Sequence, residues 1–340
     1  MNWEGPGILL RIRPENPVLK IEVHISPVLL KICQQKDSYD LSKNDKHGTV
    51  TGNRTCSSSQ IVLEKDIQSI SQEIVQGKFL QDILQENKIG VVFIEWEESV
   101  PHELLFNTMC LMDEYAERYK NILFILSLKV SDIRLLQAFM KQKLKNIFVT
   151  FGYIKINDTL QSPSSYLLKL FEKEIKQQFF QYSLANKVLL EDGYSEINSY
   201  KDYLYCVSRK INPIIRMGQR QIRLMGDYMC DGATTFTQRI IMLGLRKIIF
   251  QIAKKYIYQP NNHSLRKRIE RELEYILRQM WNVGIFRGEK TEEAYYIHCR
   301  SELESSVHAS NYLNITVGVA LNKPAQFFEI EISRILEVIE

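Results

Sequence analysis

The chain begins with two stretches in which apolar and polar residues alternate, the pattern of a strand with one buried face. Residues 8–13 lie between Pro6 and Pro14, and we expect them to form a short extended arm. Residues 19–25 alternate more regularly and predict a half-buried strand. Residues 33–60 are mostly small or polar and predict a mobile loop.

Three continuous apolar runs in the middle of the chain, residues 89–96, 121–128 and 147–153, are short enough for buried strands. Segments with helical spacing lie between and after them, at residues 102–119, 131–143 and 164–182. The apolar side of the first helix consists of Leu105, Met109, Met112 and Tyr115 or Ala116. Strands alternating with helices indicate an α/β layer with parallel strands.

The last third of the chain predicts an α+β arrangement. A strand at residues 221–224 precedes helices at residues 237–256 and 265–281, and Ser264 can cap the second helix. The apolar stripes of the two helices are Ile241, Leu245, Ile248, Ile252 and Tyr256, and Leu265, Ile269, Leu273, Ile276 and Met280. Strands at residues 294–299, 311–320 and 326–332 follow.

Composition indicates a globular protein of two domains or one large mixed domain. The chain has 340 residues, of which 45% are hydrophobic and 25% charged. Its first residues lack the pattern of a secretory signal, and its densest apolar stretch falls far short of the roughly 20 residues of a membrane span, so we expect neither export nor membrane insertion. The six cysteines are too scattered for a local zinc or CxxC site, and free thiols fit a reducing cytoplasm.

Charge is distributed unevenly. Residues 208–288 carry sixteen Lys and Arg against five Asp and Glu, a balance of +11 in a chain whose net charge is +4. Such a segment suits an acidic partner, whether a protein face, a membrane surface or nucleic acid. On the two long helices, however, Glu274 precedes Arg278 by four residues, and similar spacings predict that part of the charge is paired locally.

Motifs of catalysis are absent from the sequence. It contains no GxGxxG, GxxxxGK[ST], GxSxG or HExxH. Glu95, Glu97 and Glu98 follow a predicted strand, where acid/base carboxylates often lie, but a solvated strand end explains them as well. His298 and Cys299 are adjacent on a predicted strand, so they point to opposite faces and cannot act as base and nucleophile. We therefore expect no enzyme and no catalytic, cofactor or metal site.

From residue 212 onward the sequence resembles the C-terminal domain of contractile tail sheath proteins, which occur in phage tails and phage-derived contractile injection systems. Four blocks in the family's order carry the resemblance: INPIIRMGQRQIRLMGDYM (211–229), YQPNNHSLRKRIERELEYILRQMWNVGIFRG (258–288), AYYIHC (294–299) and NYLNITVGVALNKPAQFFEIEI (311–332). Gly226 matches a family glycine, and Met225 stands where tryptophan is usual. Upstream, SPSS (162–165) and LAN (184–186) match less closely.

The resemblance implies an α/β fold with a subtilisin-like, non-catalytic central domain, an α+β C-terminal sheath domain, and terminal arms that exchange strands. We expect an N-terminal arm and first strand at residues 1–32, the mobile loop at 33–60, the central domain at 61–205 and the sheath domain at 206–340. The implied function is a subunit that polymerises helically around an inner tube and ejects it by contraction, without a cofactor. The implied partners are other sheath subunits, the inner tube, and baseplate and tail-terminator proteins, assembled in the bacterial cytoplasm into a particle that can be released.

Two sets of residues follow as expected contacts. The strand-exchange arms comprise Ile8, Leu10, Arg11, Ile12 and Arg13 at the start of the chain, and Phe328, Glu329, Ile330, Glu331 and Ile332 near its end. The basic helices suggest an inner-tube contact formed by Lys254, Lys255, Arg266 and Lys267. The alternative from a different class is a nucleic-acid-binding α/β protein that uses residues 208–288.

Overall fold

A computed structural model describes the backbone of most of the chain. The described residues are 7–15, 18–25, 60–65, 90–96, 102–119, 122–157, 159–178, 183–218, 220–301 and 312–335. The predicted loop at 33–60 lies outside them, apart from Gln60. The chain divides into two compact units, Met1–Arg239 and Ile240–Glu340.

The first unit contains twelve described strands. They are β1 Gly7–Glu15, β2 Val18–Ile25, β3 Gln60–Lys65, β4 Gly90–Trp96, β5 Ile122–Leu128, β6 Ile147–Phe151, β7 Ile154–Ile156, β8 Thr159–Gln161, β9 Lys187–Leu190, β10 Tyr194–Ser195, β11 Asn212–Met217 and β12 Gln221–Leu224. Its helices are α1 His102–Tyr119, α2 Ile133–Gln142 after a 3-10 turn at Val130–Asp132, α3 Ser164–Gln178 and α4 Tyr200–Ser208. Helix α5, Phe236–Lys254, begins here and continues into the second unit.

Nine of these strands form one sheet in the order β3-β2-β1-β4-β5-β6-β11-β12-β9. Strands β4, β5 and β6 are parallel, as the strand–helix alternation predicts, and β1 and β11 extend the parallel part on either side. All seven residues of β5 are buried, which explains its continuous apolar run. The predicted side of α1, from Leu105 to Ala116, is buried against this sheet. The predicted α/β fold class is confirmed.

Several elements differ from their predictions. Strand β11, which begins at Asn212, and helix α4 have no counterpart among the predicted elements. The strand expected at 147–153 ends at Phe151, because Gly152 takes a left-handed φ of 95°. The expected domain boundary at residues 205 and 206 falls inside the first unit, since β11 and β12 pair into its sheet.

The second unit contains most of α5, together with a helix packed on a three-stranded antiparallel sheet. It contains α6 His263–Asn282, α7 Thr291–Ala294, β13 Tyr295–Ser301, β14 Tyr312–Ala320 and β15 Phe327–Ile335. The strand order is β13-β14-β15, and α6 packs against β13. The cap of α6 is Asn262, whose side chain accepts a hydrogen bond from the N–H of Leu265 at 2.8 Å, and not the predicted Ser264. Its buried stripe is the predicted one, except that Leu277 replaces Ile276.

Candidate assembly surfaces

The predicted N-terminal arm lies inside the sheet of its own chain. Strand β1 is antiparallel to β2 on one side and parallel to β4 on the other. In register, Arg11 lies opposite Glu22 on β2 and Glu95 on β4, whereas Arg13 lies opposite Lys20. In this arrangement the main-chain hydrogen bonds of the arm are made within the chain.

The predicted C-terminal arm is the edge strand of the second unit. Strand β15 pairs with β14 over nine residues, and its other edge has no strand within the described residues. Ile330 and Ile332 are buried, while Glu329 and Glu331 are exposed, as the alternation predicts. An edge strand with free main-chain groups is where another strand can add.

A glycine on the middle strand lets an aromatic ring cross the outer face of this sheet. Gly318 lies between Tyr296 on β13 and Glu329 on β15, and the Tyr296 hydroxyl donates a hydrogen bond to the Glu329 carboxylate. A Cβ at position 318 would lie 2.2 Å from Cε1 of the Tyr296 ring. The same ring lies against Phe327, with a centroid separation of 4.9 Å. Gly318 is therefore needed for the two edge strands to be linked across the middle one.

Substituting Gly318 with valine is expected to lower the free energy of unfolding of the second unit by about 1–3 kcal/mol, because Tyr296 must leave its place across the strand. Thermal unfolding measures the change. The matched control is Thr316→Val, on the same strand and face, which should stay within about 0.5 kcal/mol of the parent. Equal melting temperatures for the two variants would contradict this role of Gly318.

The last residues of the sequence block 258–288 form the turns that follow the C-terminus of α6. Gly284 has a φ of 83°, the left-handed conformation common just after a helix. The indole Nε1 of Trp281 donates to the carbonyl of Gly288 at 3.0 Å. Gly288 has a φ of 134°, and a Cβ there would lie 2.8 Å from that of Glu293. These glycines are thus required by the backbone at these two turns.

Asn212 and Gly226, both in the sequence block 211–229, contact each other in the first unit. The side chain of Asn212, 2% exposed, donates through Nδ2 to the carbonyls of Val149 at 2.9 Å and Tyr228 at 2.8 Å. Its Oδ1 accepts from the N–H of Tyr228 at 2.8 Å. Gly226, with a φ of 132°, leaves room for it, because a Cβ there would lie 2.6 Å from Oδ1. Asn212 thus joins β6 and β11 to the segment after β12.

Three of the four residues expected at the inner tube are engaged locally. Lys255 pairs with Glu272, which raises the pKa of the lysine, mainly through this hydrogen bond. Lys267 pairs with Glu270 at 2.9 Å, and Arg266 donates to the Asn261 side chain at 3.0 Å. Lys254 is exposed.

A different line of basic residues faces outward on α6. Arg268, Arg271, Tyr275 and Arg278 follow one another at helical spacing and are all exposed, Tyr275 to 66%. Within the described residues, none of the three arginines forms an ion pair, so the predicted Glu274–Arg278 pair is not made. We call these four residues the α6 stripe. The helical spacing of these four residues can be seen in the sequence. Only the fold shows which of the basic residues nearby are paired with carboxylates.

The carboxyl edge of the parallel strands, where α/β proteins often bind ligands, is closed by hydroxyl groups that hydrogen-bond to one another. Ser127 Oγ lies 2.9 Å from both Thr150 Oγ1 and Ser164 Oγ. Ser164 Oγ also donates to the carbonyl of Ile94 at 3.1 Å. All three hydroxyl-bearing residues are buried, and they fasten the start of α3 to the sheet.

The residues weighed as candidate chemistry do not form a site in the described structure. Glu95 is half-buried at the end of β4, while Glu97 and Glu98 lie outside the described residues. Burial raises the pKa of the Cys299 thiol to about 12, so it is not a ready nucleophile, and His298 is exposed on the other face of β13. No group of three potential metal ligands occurs in the described part of the chain. No described helix is long and apolar enough to cross a membrane.

Comparison with known proteins gives a clear result at the level of structure. No protein-family model and no curated protein matches the sequence. The helical sheath of the anti-feeding prophage in its contracted state is 16% identical, with a TM-score of 0.57 over 75% of this chain and 72% of that one. The contracted sheath complex of the extracellular contractile injection system PVC is 15% identical, with a TM-score of 0.58 over 77% and 79% of the two chains.

A crystal structure of a sheath tail protein from Desulfitobacterium hafniense extends the similarity to 96% of this chain and 76% of that one, at 7% identity and a TM-score of 0.55. At such low identities the similarity concerns the fold. The order of the sequence blocks and the structural similarity agree, so the resemblance seen in the sequence is confirmed at that level. The chain has the fold of contractile sheath proteins.

Proposed function

We propose that the chain is a structural subunit of a contractile sheath that polymerises helically around an inner tube. The observation that carries the proposal is the similarity to sheath proteins, which includes two contracted sheaths and covers at least 75% of the chain. The sequence blocks from residue 211 to residue 332 support it independently. A head-to-tail contact that does not close into a ring generates such a helical polymer.

Strand addition is the proposed means of assembly. The outer edge of β15, which no strand among the described residues covers, supports it, because main-chain hydrogen bonds to a strand of a neighbour depend little on side-chain identity. Subunits tied in this way can rotate without dissociating. In this proposal the free energy of contraction comes from better burial and better charge matching between subunits in the contracted state. It requires no nucleotide hydrolysis by this chain.

Negative-stain electron microscopy of the purified protein tests the proposal. We expect tubes whose number increases with protein concentration. A protein that stays monomeric at high concentration, with and without an inner-tube protein, would contradict it. Salt dependence distinguishes the alternative, since a nucleic-acid-binding protein that uses residues 208–288 would bind any DNA with an affinity that falls steeply with salt.

The inner tube is the proposed partner of the basic helices. The local pairing of Lys255, Lys267 and Arg266 leaves less of their charge for a partner, whereas the α6 stripe presents three exposed arginines around Tyr275. Arginine and tyrosine are enriched at protein interfaces. We therefore propose that the stripe, together with Lys254, carries most of the contact with an acidic tube surface.

Reversing the charge of Arg268, Arg271 and Arg278 to Glu is expected to leave the fold intact and to prevent assembly on the tube. Co-sedimentation with the tube measures this. Reversing Lys254, Lys255, Arg266 and Lys267 should have a smaller effect on tube binding, because three of these residues already have partners in the chain. Unchanged co-sedimentation of the first variant at moderate salt would refute the assignment of the stripe.

A further inference from the structure

The exposed apolar side chains of α4 form a stripe along one face of this helix. Of its nine residues only Cys206 is buried. Tyr200, Leu204 and Val207, at positions i, i+4 and i+7, are 74%, 47% and 45% exposed. A large apolar side chain that is exposed singly is common on protein surfaces, whereas three in line on one helix mark an interaction surface. We call these three residues the α4 stripe.

Basic residues lie at both ends of the α4 stripe. Lys201 is exposed in the first turn, and Arg209 and Lys210 are exposed where the helix ends. The guanidinium of Arg209 lies over the Tyr205 ring, 3.9 Å from its centroid. Within the described residues none of these three basic side chains forms an ion pair. Because Asp202 is the one acidic residue among them, this end of the helix layer is basic.

The outer side of α1 has the opposite charge. Glu103, Cys110 and Glu114 follow one another there at helical spacing. Both glutamates are exposed, and neither forms an ion pair in the part of the chain that the structure describes. Cys110 lies between them and is half-buried, as is the neighbouring Leu111. The exposed charged residues of this side are Glu103, Glu114, Glu117 and Arg118.

The two surfaces match in spacing as well as in sign. At the rise of an α-helix, Glu103 and Glu114 are about 16 Å apart along α1, and Lys201 and Arg209 are about 12 Å apart along α4 and its C-cap. The long, flexible side chains of lysine and arginine can span the difference. On each surface the apolar side chains lie between the two charged ends. A basic–apolar–basic surface thus has an acidic–apolar–acidic counterpart on the same chain.

We propose that the α4 stripe packs on the outer side of α1 in a second copy of this chain, where Lys201 and Arg209 pair with Glu103 and Glu114. Since the two surfaces belong to different helices, the contact is head-to-tail, as a helical polymer requires. The inference rests on the proposed function, to which it adds a contact that is separate from strand addition at β15. Apolar burial excludes water from the charge pairs, and the charges fix the register of the two copies.

Charge reversal and its rescue test this contact in the full-length protein, with assembly followed by sedimentation and electron microscopy. The α4 variant is Lys201→Glu with Arg209→Glu, and the α1 variant is Glu103→Lys with Glu114→Lys. Each should need about tenfold more protein to assemble, because like charges then face each other. A chain with all four substitutions should assemble like the parent. An equimolar mixture of the two variants should do so as well, because alternating copies again pair opposite charges.

The control, Lys169→Glu with Lys290→Glu, makes the same change of charge as the α4 variant at exposed positions outside both surfaces, and it should assemble like the parent. If a charge variant does not fold, Leu204→Ser provides the second test, and it should also need about tenfold more protein. Parent-like assembly of the reversed variants or of Leu204→Ser would overturn the inference. So would a loss that neither the fourfold variant nor the mixture restores.

The same measurements separate this inference from the proposed function. Tubes from the parent together with unchanged assembly of the variants would overturn the α4–α1 contact and leave the sheath proposal standing. Association of the parent that follows the reversal and rescue pattern, but produces no tubes with or without an inner-tube protein, would support the contact and contradict the sheath proposal. A parent that does not self-associate at all would overturn both.

Discussion

Removing residues 326–340 is expected to abolish tube formation while the rest of the chain stays folded. Strand β15 is an edge strand, so its loss leaves the β13–β14 hairpin and the packing of α6 on β13 in place. What is lost is the strand whose outer edge would, in the proposed assembly, pair with a strand of a neighbouring subunit. Electron microscopy should show no tubes, and circular dichroism should stay near that of the parent.

Adding back a synthetic peptide of residues 326–340 should restore pairing with β14 and return part of the assembly. The charge-only comparison is Arg11→Glu with Arg13→Glu, which keeps both strands. Because Arg11 lies opposite Glu22 and Glu95 of its own chain and a cross-strand charge pair contributes only about 0.2–1 kcal/mol, this variant should still assemble. Long, ordered tubes from the truncated chain would refute strand exchange by the C-terminal arm.

The matching deletion at the N-terminus is a less specific test. Strand β1 lies between β2 and β4, so deleting the residues before Pro14 removes an inner strand of the nine-stranded sheet. Failure of that variant to form tubes could reflect loss of its own fold. Its circular dichroism should therefore depart from that of the parent, in contrast to the C-terminal truncation.

Replacing Asn212 with alanine should lower the free energy of unfolding of the first unit by about 3 kcal/mol or more. The substitution leaves the carbonyls of Val149 and Tyr228 and the N–H of Tyr228 without their present partner. Each buried polar group without a partner costs about 1–3 kcal/mol. Urea unfolding can be followed by the fluorescence of Trp96 after Trp3 and Trp281 are changed to phenylalanine.

The matched control is Asn198→Ala, at an exposed position, for which we expect a change within about 0.5 kcal/mol. If Asn212→Ala unfolds at the same urea concentration as this control, the hydrogen bonds of Asn212 do not stabilise the unit. Gly226→Ala should approach the effect of Asn212→Ala, because its Cβ would displace the same side chain.

Periodic patterns predict the elements whose burial is regular. The runs at β4, β5 and β6 and the stripes of α1 and α6 were all recognisable, because a buried face repeats along its own element. Strand β11 was not, since Asn212 and Pro213 favour a turn in isolation. Its parallel pairing with β6 and the hydrogen bonds of Asn212 outweigh that local preference.

The candidate contacts depend on residues that are distant in the sequence, and for this reason sequence analysis identified them only in part. Lys255 forms an ion pair with Glu272 across the turn between α5 and α6. The basic side chains that remain unpaired are therefore not the ones that helical spacing alone suggests. Likewise, the need for Gly318 comes from a tyrosine on the neighbouring strand. The resemblance identified Gly226 as a matching position, and its close approach to Asn212 gives the physical reason for a glycine there.

The position of β1 has a consequence for the order in which the chain can fold. Gly7 lies opposite Val91, so the first strand completes its pairing only after β4 has been synthesised. Pairings between residues so far apart in the sequence slow folding, because a long loop must close before any hydrogen bond is gained. Until then the β1–β2 hairpin presents an open edge, and a neighbouring nascent chain can compete for it.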